Sequence, residues 1–351
     1  MTIMTPSAPP ETIQAIQLGR RRRTRRRLVA VGVLTALLLA LMAAMLMLGN
    51  TIYPVEDVVG VMLGETVPGA SFTVGTLRIP RMITGVLAGI AFGVAGTTFQ
   101  TMLRNPLASP DVIGITSGAS AAAVLCLVVL HWGAGATMAV ALVAGIATAI
   151  VISFAARGGE STGGRLILIG IGVGAMLDAV VSFLIQRAAE WDLPVAMRWL
   201  TGSLNGSDWQ GVVPLAIATA LLLPLVLFLS RDLRALELGD GSATALGVRV
   251  DRARLLLIVS AVALACFATA TTGPIAFVAF LAGPIAARLV GPGTSLTIPA
   301  ALTGAVLVLA ADLIGQFAFD TSFPVGVITG VLGAPYLLYL LIRTNRTGGS
   351  S

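Results

Sequence analysis

Charge is scarce in this chain: of 351 residues only 11% are charged, against 56% hydrophobic. A soluble domain carries about 25% charged residues, and a surface in water cannot be covered with fewer than half of that. An ordinary soluble globule is excluded, and a chain that crosses a membrane many times is indicated. Cysteine is equally scarce. Cys126 and Cys266 both lie inside apolar runs, which leaves no disulfide framework and no metal-ligand spacing. The one histidine, His131, stands beside Trp132 at the end of an apolar run and reads as an interfacial residue. With that imidazole isolated, no Ser–His or Cys–His nucleophile pair is available. No G-x-x-x-x-G-K-[ST] loop occurs, so the chain does not bind ATP through a P-loop. Lysine is absent altogether, and all 22 cationic side chains are arginines.

What the chain has is apolar length. The segments near 28–48, 82–103, 112–131, 134–155, 165–186, 211–230, 253–272, 275–290, 297–316 and 325–342 are apolar. About 20 residues, at 1.5 Å each, cross ~30 Å of hydrocarbon. The expectation is an all-α membrane protein with about ten transmembrane helices, the eighth of them short. Gly and Pro interrupt several spans, which is tolerated where neighbouring helices shelter the backbone. The runs GVLAGIAFGVAG (85–96) and GIGVGA (170–175) offer close helix–helix approach.

Residues 1–19 are polar or mixed, with prolines at 6, 9 and 10, and read as disordered. RRRRTRRR, Arg20 to Arg27, then precedes the apolar run 28–48. That run is longer than a signal-peptide core, and no A-x-A site follows it. The block therefore reads as the topogenic anchor of a first span, not as a nucleic-acid-binding arm. The expected organisation is a disordered basic cytoplasmic arm over 1–27, a transmembrane domain over 28–345 and a cytoplasmic tail over 346–351.

With the N-terminus inside, the loops holding Arg20–Arg27, Arg104, Arg157 with Arg165, Arg231 to Arg254, Arg288, and Arg343 with Arg346 all fall inside, which is 18 of the 22 arginines. Only Arg78, Arg81, Arg187 and Arg198 fall outside, together with Glu56, Asp57, Glu65, Glu190, Asp192, Asp208 and Asp320. The reversed topology violates the positive-inside rule. Arg78 and Arg81, in the stretch RIPRMITG, therefore stand against the bias and need a reason of their own.

Carboxylates at membrane depth are few, Asp178 and Asp312. An ionisable group there is a functional candidate by default, and a proton-coupled secondary transporter would use Asp178 or Asp312. On the inside face the largest loop is 231–254, rimmed by five arginines. Within it LELGDGSATALGV predicts a short helix, Ser242 to Leu246, capped by Asp240 or Ser242. Ala243, Leu246 and Val248 give it an apolar face that suits docking of a soluble partner.

Five stretches together resemble the FecCD-type permeases of ABC importers, which carry ferric siderophores, haem or vitamin B12. They are RIPRMITGVLAGIAFGVAGTTFQTMLRNPLASPDVIGITSGAS (78–120), MRWLTGSLNGSDW (197–209), the loop 236–248, GPIAFVAFLAGPIAARLVG (273–291) and LAADLIGQFAFDTSFPVGVITGVLGAPYLLYLL (309–341). The resemblance spans about residues 50–345. It implies the type II ABC importer permease architecture, with both termini cytoplasmic, and a transport subunit that catalyses no bond chemistry. It implies a second permease subunit, homo- or heterodimeric, with the pathway at the interface. It implies two ABC ATPase subunits, which bind the ATP and Mg, docked on a coupling helix that matches Leu238, Gly239, Ser242, Ala243, Leu246 and Gly247. It implies an external solute-binding lipoprotein whose acidic residues meet Arg78 and Arg81. Gln316 stands where some relatives carry a further external arginine. Gly283-Pro284 and Ala287 replace a more frequent Pro-His and a first arginine, so a role given to that histidine does not apply here.

The implied substrate is a ferric siderophore, with vitamin B12 or haem as alternatives. A wrapped iron needs no metal ligands from the wall, which suits one His and two Cys. Candidate pathway residues are Thr97, Met176, Ser182 and Gln186. Lipid and protein are the expected partners, and nucleic acid is not.

Overall fold

The computed structural model describes residues 10–111, 114–156 and 162–348, and all regular structure among them is helical. In chain order the helices are α1 (Pro10–Met47), α2 (Val55–Met62), α3 (Ala70–Met102), α4 (Ile115–Val129), α5 (Ala134–Ala155), α6 (Thr162–Gln186) and α7 (Leu193–Thr201). There follow α8 (Trp209–Phe228), α9 (Ser230–Glu237), α10 (Asp240–Ala245), α11 (Val250–Thr272), α12 (Val278–Val290), α13 (Thr297–Phe317) and α14 (Val325–Gly348). Among the described residues seven helices, α1, α3, α5, α6, α8, α11 and α13, are long and apolar enough to cross a membrane. Three apolar helices are shorter, α4, α12 and the stretch Val325–Tyr339 of α14. Each of these helices falls on an apolar segment read from the sequence. The short eighth segment is α12, whose 13 residues rise only about 20 Å.

The arm differs from its expectation. Over residues 10–27 the chain is helical, not disordered, and the arginine block lies on a helix continuous with the first span. Pro10 suits a first helical position, and after Gly19 the block contains no breaker and seven good helix formers. Residues 1–9 and 349–351 lie outside the described residues, as do Arg157 and the Val112-Ile113 step of NPLASPDVIG.

α3 is the centre of the bundle and packs against α8, α11, α12 and α13. Small residues set that position. A Cβ on Gly89 would stand 2.5 Å from the Gly304 carbonyl oxygen, so α3 and α13 meet backbone to backbone. The run 85–96 thus packs as its composition predicts.

Pro284 inside α12 has no N–H for the Phe280 carbonyl one turn back. The Gln100 side chain on α3 supplies the missing donor, its Nε2 lying 2.9 Å from that oxygen. It passes through the space where Gly283 has no side chain. The Gly-Pro pair is therefore a matched exchange of one donor for another across two helices.

Candidate functional site

Two clefts open at opposite ends of α3. The first, about 610 Å³, is lined by Arg78 and Arg81 near the start of the helix, with Asn50, Arg198, Asn205 and Gln316. The second, about 550 Å³, is lined by Thr97 and Thr101, with Arg234, Glu237, Leu238 and Arg288. Twenty residues separate Arg81 from Thr101, a rise of about 30 Å. The clefts thus sit a hydrocarbon thickness apart, with the arginines divided between the two ends as the loop count divides them.

In the first cleft Arg81 meets Asp312 across α3 and α13. Its Nε lies 2.9 Å from Asp312 Oδ2 and its Nη2 lies 2.8 Å from Oδ1, a bidentate fork. Gln316 Nε2 donates to the same Oδ2 at 2.7 Å, and Arg81 Nη1 donates to Asn205 Oδ1 at 3.0 Å. Asp312 is 1% exposed and Arg81 21%. Arg78 ends a wide π-turn, Thr73–Arg78, one turn earlier on the same helix. It donates to the carbonyls of Leu46 and Thr51, each at 2.7 Å, and lies over the Tyr53 ring. A cation there satisfies the carbonyl end of α1 and opposes the negative pole of its dipole. Arg198, on α7, is exposed at the rim, and its guanidinium makes no hydrogen bond or ion pair among the described residues.

At the other end α9 and α10 form a knob. The helix within it begins at Asp240 and ends at Ala245, two residues before and one before the expected Ser242–Leu246, and no side chain caps it. Gly239, at a φ of 109° that favours glycine, turns the chain into it. The Asp240 carboxylate is held instead by Arg254 Nη2 at 2.8 Å and Arg104 Nη2 at 3.3 Å. The knob is thereby tied to the end of α3 and the start of α11. Leu238 and Leu246 project from it, 67% and 66% exposed, while Ala243 is fully buried beneath.

α6 carries a polar line. Asp178, Ser182 and Gln186 recur every fourth residue, so they share a face, and all three are exposed. Met176 beside them is 72% exposed.

The comparisons with known proteins agree with one another. The sequence pattern of the FecCD transport family matches residues 36–343. The chain is 41% identical over 293 residues to the ferric enterobactin transport system permease protein FepG of Escherichia coli, covering 83% of this chain and 88% of that protein. It is 41% identical over 312 residues to the achromobactin transport system permease protein CbrC of Dickeya dadantii, covering 88% and 89%. The chain belongs to the FecCD transport family. Its fold matches a metal-chelate type ABC transporter solved in an inward-facing conformation, with a TM-score of 0.77 at 26% identity over 90% of this chain and 99% of that one. It is therefore a multi-pass permease of the cytoplasmic membrane of the ABC-importer kind, a transport subunit and not an enzyme.

In this FecCD permease the positions singled out from sequence fall into distinct places. Arg78 and Arg81 share the first cleft, but both forks are engaged within the chain. Leu238, Ser242, Leu246 and Gly247 lie on the knob's surface and Gly239 is half-buried, whereas Ala243 packs inward. Met176, Ser182 and Gln186 share α6. Thr97 does not join them: it is 1% exposed on α3, its hydroxyl unpaired, beside the second cleft. The Asp312 carboxylate is not free in the first cleft: Arg81 and Gln316 occupy both of its oxygens. Sequence reasoning missed that pair, although both partners were flagged separately. It also passed over Arg198, whose signal was its place among the four outside arginines. Among the described residues no group of three or more His, Cys, Asp or Glu is placed to hold a metal ion.

Proposed function

We propose that this FecCD permease forms one half of a membrane pathway for a ferric siderophore, taken from an external solute-binding protein and driven inward by a partner ATPase. The observation that carries the proposal is the exposed polar line on α6. Asp178 stands eight residues, about 12 Å, inside the end of the helix. A carboxylate at that depth is costly against lipid and turns to a partner or a water-filled cavity. A second permease subunit set on this face encloses Met176, Asp178, Ser182 and Gln186 as pathway wall.

The knob fits the ATPase. Exposed Leu238 and Leu246 supply the apolar contact, and the Asp240 bridges transmit its displacement to α3 and α11. ATP and Mg are then bound by the partner, and alternating access follows from moving the knobs of two subunits together. The knob end faces the cytosol, by the excess of arginines there, as do both termini. The first cleft then faces outward. Its docking charge for acidic residues of the binding protein rests mainly on Arg198, with Arg78 and Arg81 at the rim, and such pairs steer docking more than they tighten it.

The test is uptake into proteoliposomes holding the complete importer. ATP-dependent accumulation of a ferric siderophore, abolished without the ATPase or the binding protein, is expected. Preferential uptake of cobalamin or haem would replace the substrate. Accumulation by this chain alone, driven by a proton gradient, would overturn the whole assignment.

A further inference from the structure

Arg22, Arg25 and Arg26 follow at i, i+3 and i+4 on α1 and so share one face. Val29, Val33 and Leu34 continue that face at i+7, i+11 and i+12, into the apolar span. Leu289, at the end of α12, forms the opposite wall of a groove of about 460 Å³, and no carboxylate lines it. The wall is fixed from above. Arg26 donates from Nε to the Leu289 carbonyl at 2.9 Å and from Nη2 to the Arg288 carbonyl at 2.6 Å. The guanidinium groups of Arg22 and Arg25 are exposed and make no hydrogen bond or ion pair among the described residues.

The groove therefore has a cationic head and an apolar stem. Its depth matches that division. The apolar run starts at residue 28, which places Arg25 about 4.5 Å and Arg22 about 9 Å beyond the hydrocarbon edge. The headgroup layer occupies about the first 5–7 Å there, within reach of a snorkelling arginine from either position. A topogenic charge requires no groove beneath it. A free inorganic anion has no use for the Val29–Leu289 slot, and a nucleic acid would meet the membrane.

We propose that this groove is a binding site for an anionic phospholipid, its phosphate held by Arg22 and Arg25 and one acyl chain lying between α1 and Leu289. Each arginine beside an anionic headgroup contributes about fivefold in affinity, so the pair contributes about 25-fold.

The test uses the complete importer in nanodiscs of phosphatidylcholine containing a minor fraction of phosphatidylglycerol, with retained lipid counted by native mass spectrometry. The double variant Arg22→Gln with Arg25→Gln should lose phosphatidylglycerol retention about 25-fold. The charge-matched Arg20→Gln with Arg21→Gln, outside the groove, should lose far less. Val33→Trp, which fills the stem from an exposed position while leaving every charge in place, should also abolish retention. Equal loss in the two arginine pairs would reduce the effect to diffuse charge and overturn the site. So would undiminished retention in Val33→Trp, or displacement of the lipid by millimolar inorganic phosphate.

Discussion

Replacing Arg81 with methionine leaves the Asp312 carboxylate at 1% exposure with Gln316 as its remaining side-chain partner. Removing one member of a buried ion pair costs about 3–5 kcal/mol, because the other charge stays buried and unpaired. Arg81 reaches a cleft and is 21% exposed, so some water enters and about 3 kcal/mol is the expected loss. Replacing both residues, Arg81→Met with Asp312→Leu, removes the stranded charge and should restore most of that stability. The assay is a double-mutant cycle read by thermal unfolding of the permease in nanodiscs, with ATP-dependent uptake measured in parallel. A purely external role for Arg81 gives the opposite pattern: the single variant unfolds like wild type and loses only uptake. Unchanged unfolding of Arg81→Met, or a double variant as unstable as the sum of the singles, would refute the pairing argument.

Arg198→Glu should impair uptake without lowering the unfolding temperature, because its guanidinium has no partner among the described residues; unimpaired uptake would remove it from the docking surface. Leu238→Asp and Leu246→Asp should weaken ATPase assembly by about tenfold or more each while the permease stays folded, since burying a charge at an interface is costly. Ala243→Asp should instead destabilise the permease itself, and co-purification set beside thermal unfolding separates the two outcomes. Asp111, in the loop between α3 and α4, is partly exposed as a residue, but its Oδ2 is enclosed without a partner. Burial pushes its carboxyl up to about 7, against a lowering hydrogen bond from Thr116. A carboxyl raised on folding contributes stability that is complete below about pH 4 and is lost as pH rises through about 7. Wild type should therefore unfold more easily at pH 8 than at pH 6, and Asp111→Asn should flatten that difference; an unaltered pH profile would reject the enclosure.

Composition and apolar run length determined the class of this protein and the places of its membrane helices, because crossing hydrocarbon is a one-dimensional requirement on length and charge. Arginine counts gave the same two ends that the clefts display, and ordered motifs gave the family. The tertiary structure decided what each arginine does. Arg81 and Asp312 lie 231 positions apart, and no periodicity links them. Arg78 looked like an outward charge and caps α1 by a turn of backbone that only folding brings near. Ala243 and Leu246, both apolar in one short loop, differ in burial, 0% and 66% exposed, because the Gly239 turn and the Asp240 bridges seat the helix on Ala243 and leave its end outside. Thr97 lies apart from the three α6 residues it was grouped with for the same reason: helix rotation depends on the neighbours a helix meets. Partition into the membrane is a property of each segment alone, whereas pairing and orientation exist only between segments.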